Sequence, residues 1–409
     1  MIKRYIIIGA LLFSAYHLKA QEPDSVSKKT TLNKTEVDFV YNHYIQNGNN
    51  SAITGGIGTE KLTVFGPSIA YKKIFQGKKT IFIKGGADII SSASTDNIDF
   101  NVSSASSVDT RSYININYAQ QVNDKNLVIS GGSGFSIESD YFSLPLRFGV
   151  SFPGKNPMRS YSFNLFTFFD DLRWGRLDSD YRKPVRLIYP VELRYKNWFD
   201  IHNRYSYNFK FAFTQVINKK NILGVFPEIV YQHGLLSTPF HRVYFNDGDL
   251  KVENLPMQRL KGSLGIKLNS FLGGRTILKN ELDFYGDTFG LIGFSIANET
   301  AIKLNTTISL APFFRIYFQK ASKYFAPYRE HSIEQEFYTS DYDLSSFNTY
   351  KIGINFRYAP YKYSIEKLAL NELQLRYSFM YRTNNLRAHI ISLFINTSFY
   401  KEPPPPLIP

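Results

Sequence analysis

The chain has 409 residues, no cysteine and a formal charge of +14, with aromatic residues at 16% and a mean hydropathy of -0.24. The absence of cysteine excludes disulfides, thiolate metal sites and a lipidated cysteine anchor. Lys and Arg are spread along the chain rather than clustered, which argues against nucleic acid as a partner, and many aromatics at modest mean hydropathy suit strands that are apolar on one face only.

Residues 1–20 open on Met1-Ile2-Lys3-Arg4, run apolar from Tyr5 to Phe13 and end on Ala20 before Gln21. A basic start, a short apolar core and a small residue at the cut site predict a secretory signal peptide. Its removal leaves +11, from +14 less Lys3, Arg4 and Lys19. No later stretch has the continuous apolar length of a membrane helix, so a membrane form of this chain would cross as a barrel. Residues 21–35 are polar and read as a periplasmic lead-in, residues 36–400 as the barrel, and residues 401–409 as a Pro-rich periplasmic tail.

Candidate strands follow at residues 36–46, 61–74, 80–91, 110–121, 126–138, 141–152, 160–170, 203–217, 222–233, 257–270, 276–287, 290–302, 306–318, 347–359, 371–381 and 387–399. The stretch from Arg204 to Gln215 shows the pattern best. Tyr205, Tyr207, Phe209, Phe211 and Phe213 share one parity, while Ser206, Asn208, Lys210, Ala212 and Thr214 share the other. A period of two puts the rings on one face of a strand. Val185 to Trp198 holds a further apolar run, but Pro184 and Pro190 disfavour a central strand and it is placed in a loop.

The connections alternate in kind. Gln76-Gly77-Lys78-Lys79, Asn123-Asp124-Lys125, Pro153 to Pro157, Asn218 to Asn221 and Gly273-Gly274-Arg275 are short and built of turn residues. The long connections, residues 47–60, 92–109, 171–202, 234–256 and 319–346, all fall between them. Residues 360–370 are the one lengthy segment on the short side. Loops sorted to one rim predict an all-β fold: a transmembrane antiparallel up-and-down β-barrel of the outer-membrane type, with about 16 strands and 14 or 18 as alternatives.

On the parity away from the rings lie Lys210, Glu228, Lys267, Lys279, Glu281, Asp283, Glu299, Arg315, Lys351, Arg357, Glu372 and Arg376. A Lys or Arg facing lipid near the midplane costs about 2–4 kcal/mol, so these charges are expected in the lumen. Mixed signs there suit either an open pore with a transverse field or a salt-bridged network that closes it. The loop after His233 is dense in Pro, aromatic and Arg residues, and Pro239, His241, Arg242, Tyr244 and Glu253 are candidates for a constriction folded into the lumen. Asp247, Asp249 and Glu253 offer an incomplete Ca²⁺ ligand set, and no metal or other cofactor is expected. Asp170 and Asp171 with His202 and His233 evoke acid and histidine groups of a rim protease, but their spacing is not diagnostic and no enzyme is expected.

From Ser91 onward several stretches share residues with one family. They are Ser91 to Ser94, Ser107-Val108-Asp109-Thr110-Arg111, Gly234 to Phe245 with Val252 to Pro256, Asp287-Thr288-Phe289-Gly290, and Arg315 to Gln319. On these the chain resembles domain-of-unknown-function family 3570, which favours Trp at the place of Phe289. The resemblance implies an exported outer-membrane barrel of Bacteroidota-type bacteria and supplies no activity.

The expected partners are outer-membrane lipid, the barrel-insertion machinery that would read the aromatic-ended strand closing at Phe399, and a small solute. The expected form is a monomer. The expected function is a passive or gated channel for a small hydrophilic or amphipathic solute, the alternative a non-conducting structural barrel binding protein partners through outer loops or tail.

Overall fold

In a bilayer, strands with one apolar face satisfy every backbone polar group only by closing into a ring, and these strands form one. The computed structural model describes residues 34–75, 77–93, 108–122, 126–138, 141–172, 203–238, 241–360 and 367–399. The expected signal peptide, most of the lead-in, the Val185 to Trp198 run and the Pro-rich tail lie outside the described residues. All that is described belongs to one compact unit, Asn33–Pro409.

The strands are β1 (Lys34–Asn47), β2 (Lys61–Phe75), β3 (Lys79–Ala93), β4 (Val108–Gln121), β5 (Val128–Glu138), β6 (Tyr141–Pro153), β7 (Arg159–Asp171), β8 (Asn203–Asn218), β9 (Asn221–Gly234), the short β10 (Arg242–Tyr244) and β11 (Leu250–Val252), β12 (Gln258–Leu272), β13 (Thr276–Asp287), β14 (Ile292–Lys303), β15 (Ile308–Lys320), β16 (Phe347–Tyr358), β17 (Leu368–Arg382) and β18 (Leu386–Phe399). All but β10 and β11 form one closed barrel of 16 antiparallel strands, each beside its chain neighbours. Closure is made by β18 on β1, with Phe399 opposite Thr35 and Arg387 opposite Asn47. Two corrections to the sequence reading stand out. The first strand begins at Lys34, two residues early, and β10–β11 is a hairpin where only an ordered loop was expected.

The two faces separate by parity. Ile69, Phe211, Ile229 and Ile352 are exposed at 56%, 52%, 54% and 61%, which in a barrel of this kind is the lipid-facing surface. Rings pair along that surface near both ends of β7 to β9. Phe152, Tyr161 and Phe213 meet toward the short-turn rim, while Tyr205 stacks on His233 and Tyr207 on Tyr231 toward the long-loop rim. Aromatic girdles at both interfaces are the expected anchors of such a barrel.

Four prolines sit inside barrel strands, where a missing N–H ought to cost a ladder bond. Each interrupts the pairing on one side only, and the register resumes unchanged. Phe65 pairs with Ile89 and Ser68 with Gly86 around Pro67; Leu146 pairs with Ser133 and Ser143 with Ser136 around Pro145. Pro227 and Pro312 leave the same gap toward β8 and β14.

Candidate functional site: the lumen and its loop cap

Which parity faces inward is settled by one contact. Arg376 on β17 donates from Nη1 to Glu299 Oε2 on β14 at 2.7 Å, with β15 and β16 lying between. Side chains with two strands between them converge only on the concave side of a closed sheet. The same face carries Lys210–Glu228 at 3.1 Å, Lys267–Glu281 at 3.1 Å, Lys279–Glu299 at 2.8 Å, Arg315–Asp283 at 3.1 Å and Arg357–Glu372 at 2.5 Å. Thus 11 of the 12 charges singled out from the sequence pair across strands, and Lys351 stands opposite Arg315 in register. The Lys279, Arg315 and Arg357 side chains remain 46%, 44% and 45% exposed, so the lumen wall around them has room for water. Ion pairs this wet contribute about 0–1 kcal/mol each, which fixes where the charges point more than it stabilises the barrel.

Parity reasoning carried to every strand would have found more of this wall. Arg111 pairs with Asp88 at 3.3 Å, Arg204 with Asp170 at 2.9 Å, and Arg259 with Asp287. Lys84, Arg147 and Lys261 share that face by register.

At the long-loop rim, residues 235–238 and 241–257 fold with residues 321–346 into one body. Phe245 bridges His331, Asn254 bridges Tyr338, and Phe325 bridges Thr339. Val243, Phe245 and Tyr338 form one core, the Phe245 and Tyr338 rings meeting edge to face at 4.8 Å. Leu236, Leu255 and Phe289 form a second, with Tyr324 and Leu344 packed on it. The β10–β11 hairpin turns at Gly248, whose φ of +96° a side chain would strain. Glu253, 5% exposed, is wholly occupied: it accepts from Thr238 N at 2.6 Å and Thr339 Oγ1 at 2.5 Å and lies 3.4 Å from His241 Nδ1.

The third participant is the loop of residues 48–60. A side chain at Gly55 would meet the Tyr244 ring at 2.6 Å, and one at Gly56 the Ser340 carbonyl at 2.8 Å. In the ring of strands, the β1–β2 loop and the β9–β12 loop divide the circle into two arcs of eight, so they arise on opposite sides of the rim. Loops rooted opposite each other can touch only by crossing the mouth. The body is tied to the rim by Gln319 Nε2 donating to the Asp343 and Ser345 carbonyls at 2.8 Å each, by Arg382 on Asp343 at 2.5 Å, and by Asn50 Nδ2 on the Asn384 carbonyl at 2.6 Å.

Charge in this cap is finely poised. Burial, with Asp343 nearby, pushes the Glu60 carboxyl up to about 7 despite Arg382. Burial and Asp343 also raise Asp341. Burial disfavours charge on both His241 and Glu253, but their mutual attraction prevails, holding His241 up and Glu253 down.

The constriction candidates are dispersed over this cap. His241 and Glu253 lie within it, the Tyr244 ring packs on Tyr328 at 4.9 Å, Arg242 is part of β10, and Pro239 lies outside the described residues. The calcium candidates are not assembled. Asp247 and Asp249 occupy the exposed hairpin tip, whereas Glu253 is turned inward, and among the described residues no three His, Asp or Glu side chains are placed to hold a metal. The protease-like groups are apart as well. Asp170 accepts from Arg204, Ser143 and Tyr141 on the lumen side, Asp171 ends β7 opposite Asn203, and His233 stacks on Tyr205 on the lipid side. His202 lies outside the described residues.

A family model described as protein of unknown function (DUF3570) matches residues 8–363. No curated protein matches the chain. Among solved structures, a BenF-like porin from Pseudomonas fluorescens Pf-5 is similar at 10% identity over 89% of this chain and 98% of that one, with a TM-score of 0.43. The outer membrane protein OpdK from Pseudomonas aeruginosa is similar at 7% identity over 89% and 99%, with a TM-score of 0.41. A bacterial polysaccharide outer membrane secretin is similar at 9% identity over 89% and 97%, with a TM-score of 0.44.

Proposed function

The chain belongs to the DUF3570 family, and from the chemistry of its lumen we propose that it is an outer-membrane channel for a small hydrophilic or amphipathic solute, narrowed at its outer mouth by the loop cap. The observation that carries this reading is the ladder of paired but half-exposed charges inside a closed barrel, since a lumen packed shut would bury them. The apolar outer face and its two aromatic belts support the location, with lipid as the surrounding partner. Export through the N-terminal signal and insertion as a monomer by the barrel-assembly route complete the reading. Nothing in it requires catalysis or a cofactor.

A second reading, a non-conducting structural barrel, draws on the cap itself, whose loops from opposite rims share cores rather than leaving a gap. Swelling of proteoliposomes in sugars and amino acids of graded size separates the two. Swelling that falls off with solute size supports the channel, and a protein as impermeable as empty liposomes supports the structural barrel.

A further inference from the structure

We propose that the lumen selects anions and that Lys84 and Arg147 form the subsite at which a small carboxylate is held in passage; this rests on the channel reading. Among the described lumen residues, acid groups are met and cations are left over. Glu36 has two lysines, Asp38 accepts from Asn396, and Asp88, Asp170, Glu228, Glu281, Asp283, Asp287, Glu299 and Glu372 each have a Lys or Arg. Lys84, Arg147, Lys261 and Lys351 face the same interior with no carboxylate within ion-pair distance among those residues. An interior whose surplus is positive draws in negative solutes.

Lys84 and Arg147 are the two that converge. Asn115 on β4 lies opposite Lys84 in register, and Arg147 on β6 reaches across β5 to donate from Nη2 to Asn115 Oδ1 at 2.8 Å. It can do so because the lumen-facing positions of β5 on that path are Gly132 and Gly134, which project no side chain. The wall between Lys84 and Arg147 therefore carries no side chain at those two positions. The Tyr113 ring lies 5.9 Å from Lys84 Nζ and the Phe166 ring 5.9 Å from the Arg147 guanidinium carbon. The Arg147 Nε is buried and has no hydrogen-bond partner. Lys84 and Arg147 repel each other, Asp88 and Asp38 offset part of that repulsion at Lys84 without pairing with it, and a carboxylate between the ammonium and the guanidinium would relieve the rest. Guanidinium offers it a planar fork and the ammonium a point charge.

The test is planar-bilayer recording of the full barrel in a KCl gradient, followed by titration with potassium acetate. The reversal potential is expected on the chloride side, and acetate is expected to lower the chloride current in a saturable way. In the double variant Lys84→Gln with Arg147→Gln, the saturable effect should fall at least tenfold in apparent affinity, while Lys261→Gln near the outer rim should keep it. Potassium selectivity in the unaltered protein, or an acetate effect unchanged in the double variant, would overturn the proposal. Absence of any channel steps would count against the channel reading instead. The subsite is then read by calorimetric titration of acetate into the detergent-solubilised barrel: heat lost in the double variant sustains it, and no heat with the unaltered protein overturns it.

Discussion

At Glu60 the protonation of one carboxyl is linked to how firmly the cap closes. Its folded value of about 7 stands above the ordinary carboxyl value of 4.5, so the packed cap holds the proton more tightly than the loosened loop. Cap stability from this group is therefore full below about 4.5, falls as pH rises from there to about 7, and stays reduced above. Asp341, also raised, acts in the same sense. His241 is raised too, so its contribution is present below its ordinary value and disappears as pH climbs through the folded one. Glu253, held down, weakens the cap only on acidification. The open fraction in bilayer recordings should thus rise from pH 6 to pH 8, and Glu60→Gln should flatten that rise while keeping the 2.9 Å contact with Gln46 feasible. A second expectation concerns Phe245, fully buried between Val243 and Tyr338. Phe245→Ala should cost the cap about 3–5 kcal/mol, read as faster proteolysis of the outer loops with unchanged heat-modifiable migration of the barrel. At this scale the sequence was legible where the period of two applied. Lys210 and its partners could be placed by parity alone. Glu253 could not, because besides Thr238 and His241 its carboxylate is held by Thr339, 86 positions away, and no local spacing carries that.

Among the strands, alternation is the whole signal, and it reads as well from Phe211 and Ala212 as from any fold. Its physical content is testable with one pair of variants. Ile352→Arg puts a charge on the lipid face at 61% exposure and should destabilise the barrel by about 2–4 kcal/mol in urea unfolding from liposomes, whereas Thr349→Arg, on the lumen side of the same strand, should cost less than half as much. Strand existence and order were recoverable because each long strand, of 11 to 16 residues, repeats its period five to eight times. The β10–β11 hairpin was not, since three residues a side hold no period, and its stability comes from packing against the loop of residues 321–346. The in-strand prolines show why local rules need the closed sheet. A proline such as Pro227 forfeits bonds toward one neighbour while β12 keeps the other side of the strand in register.

At the level of the molecule, closure of the ring turns loop lengths into geometry. Sorting of short and long connections could be read directly and gave the barrel, but which long loops meet depends on strand count. With 16 strands, the loops after β1 and after β9 face each other across the mouth, and the Gly55–Tyr244 approach joins them. A barrel two strands larger or smaller would shift one loop off that diameter. On the function proposed above, the protein is a charge-lined tube narrowed at its mouth by the folded cap. Single-channel recording of the unaltered barrel beside a variant lacking residues 237–250 tests this most directly. Small conductance steps in the first that enlarge several-fold in the second are the expected result; equal conductance in both, or none in either, would contradict it.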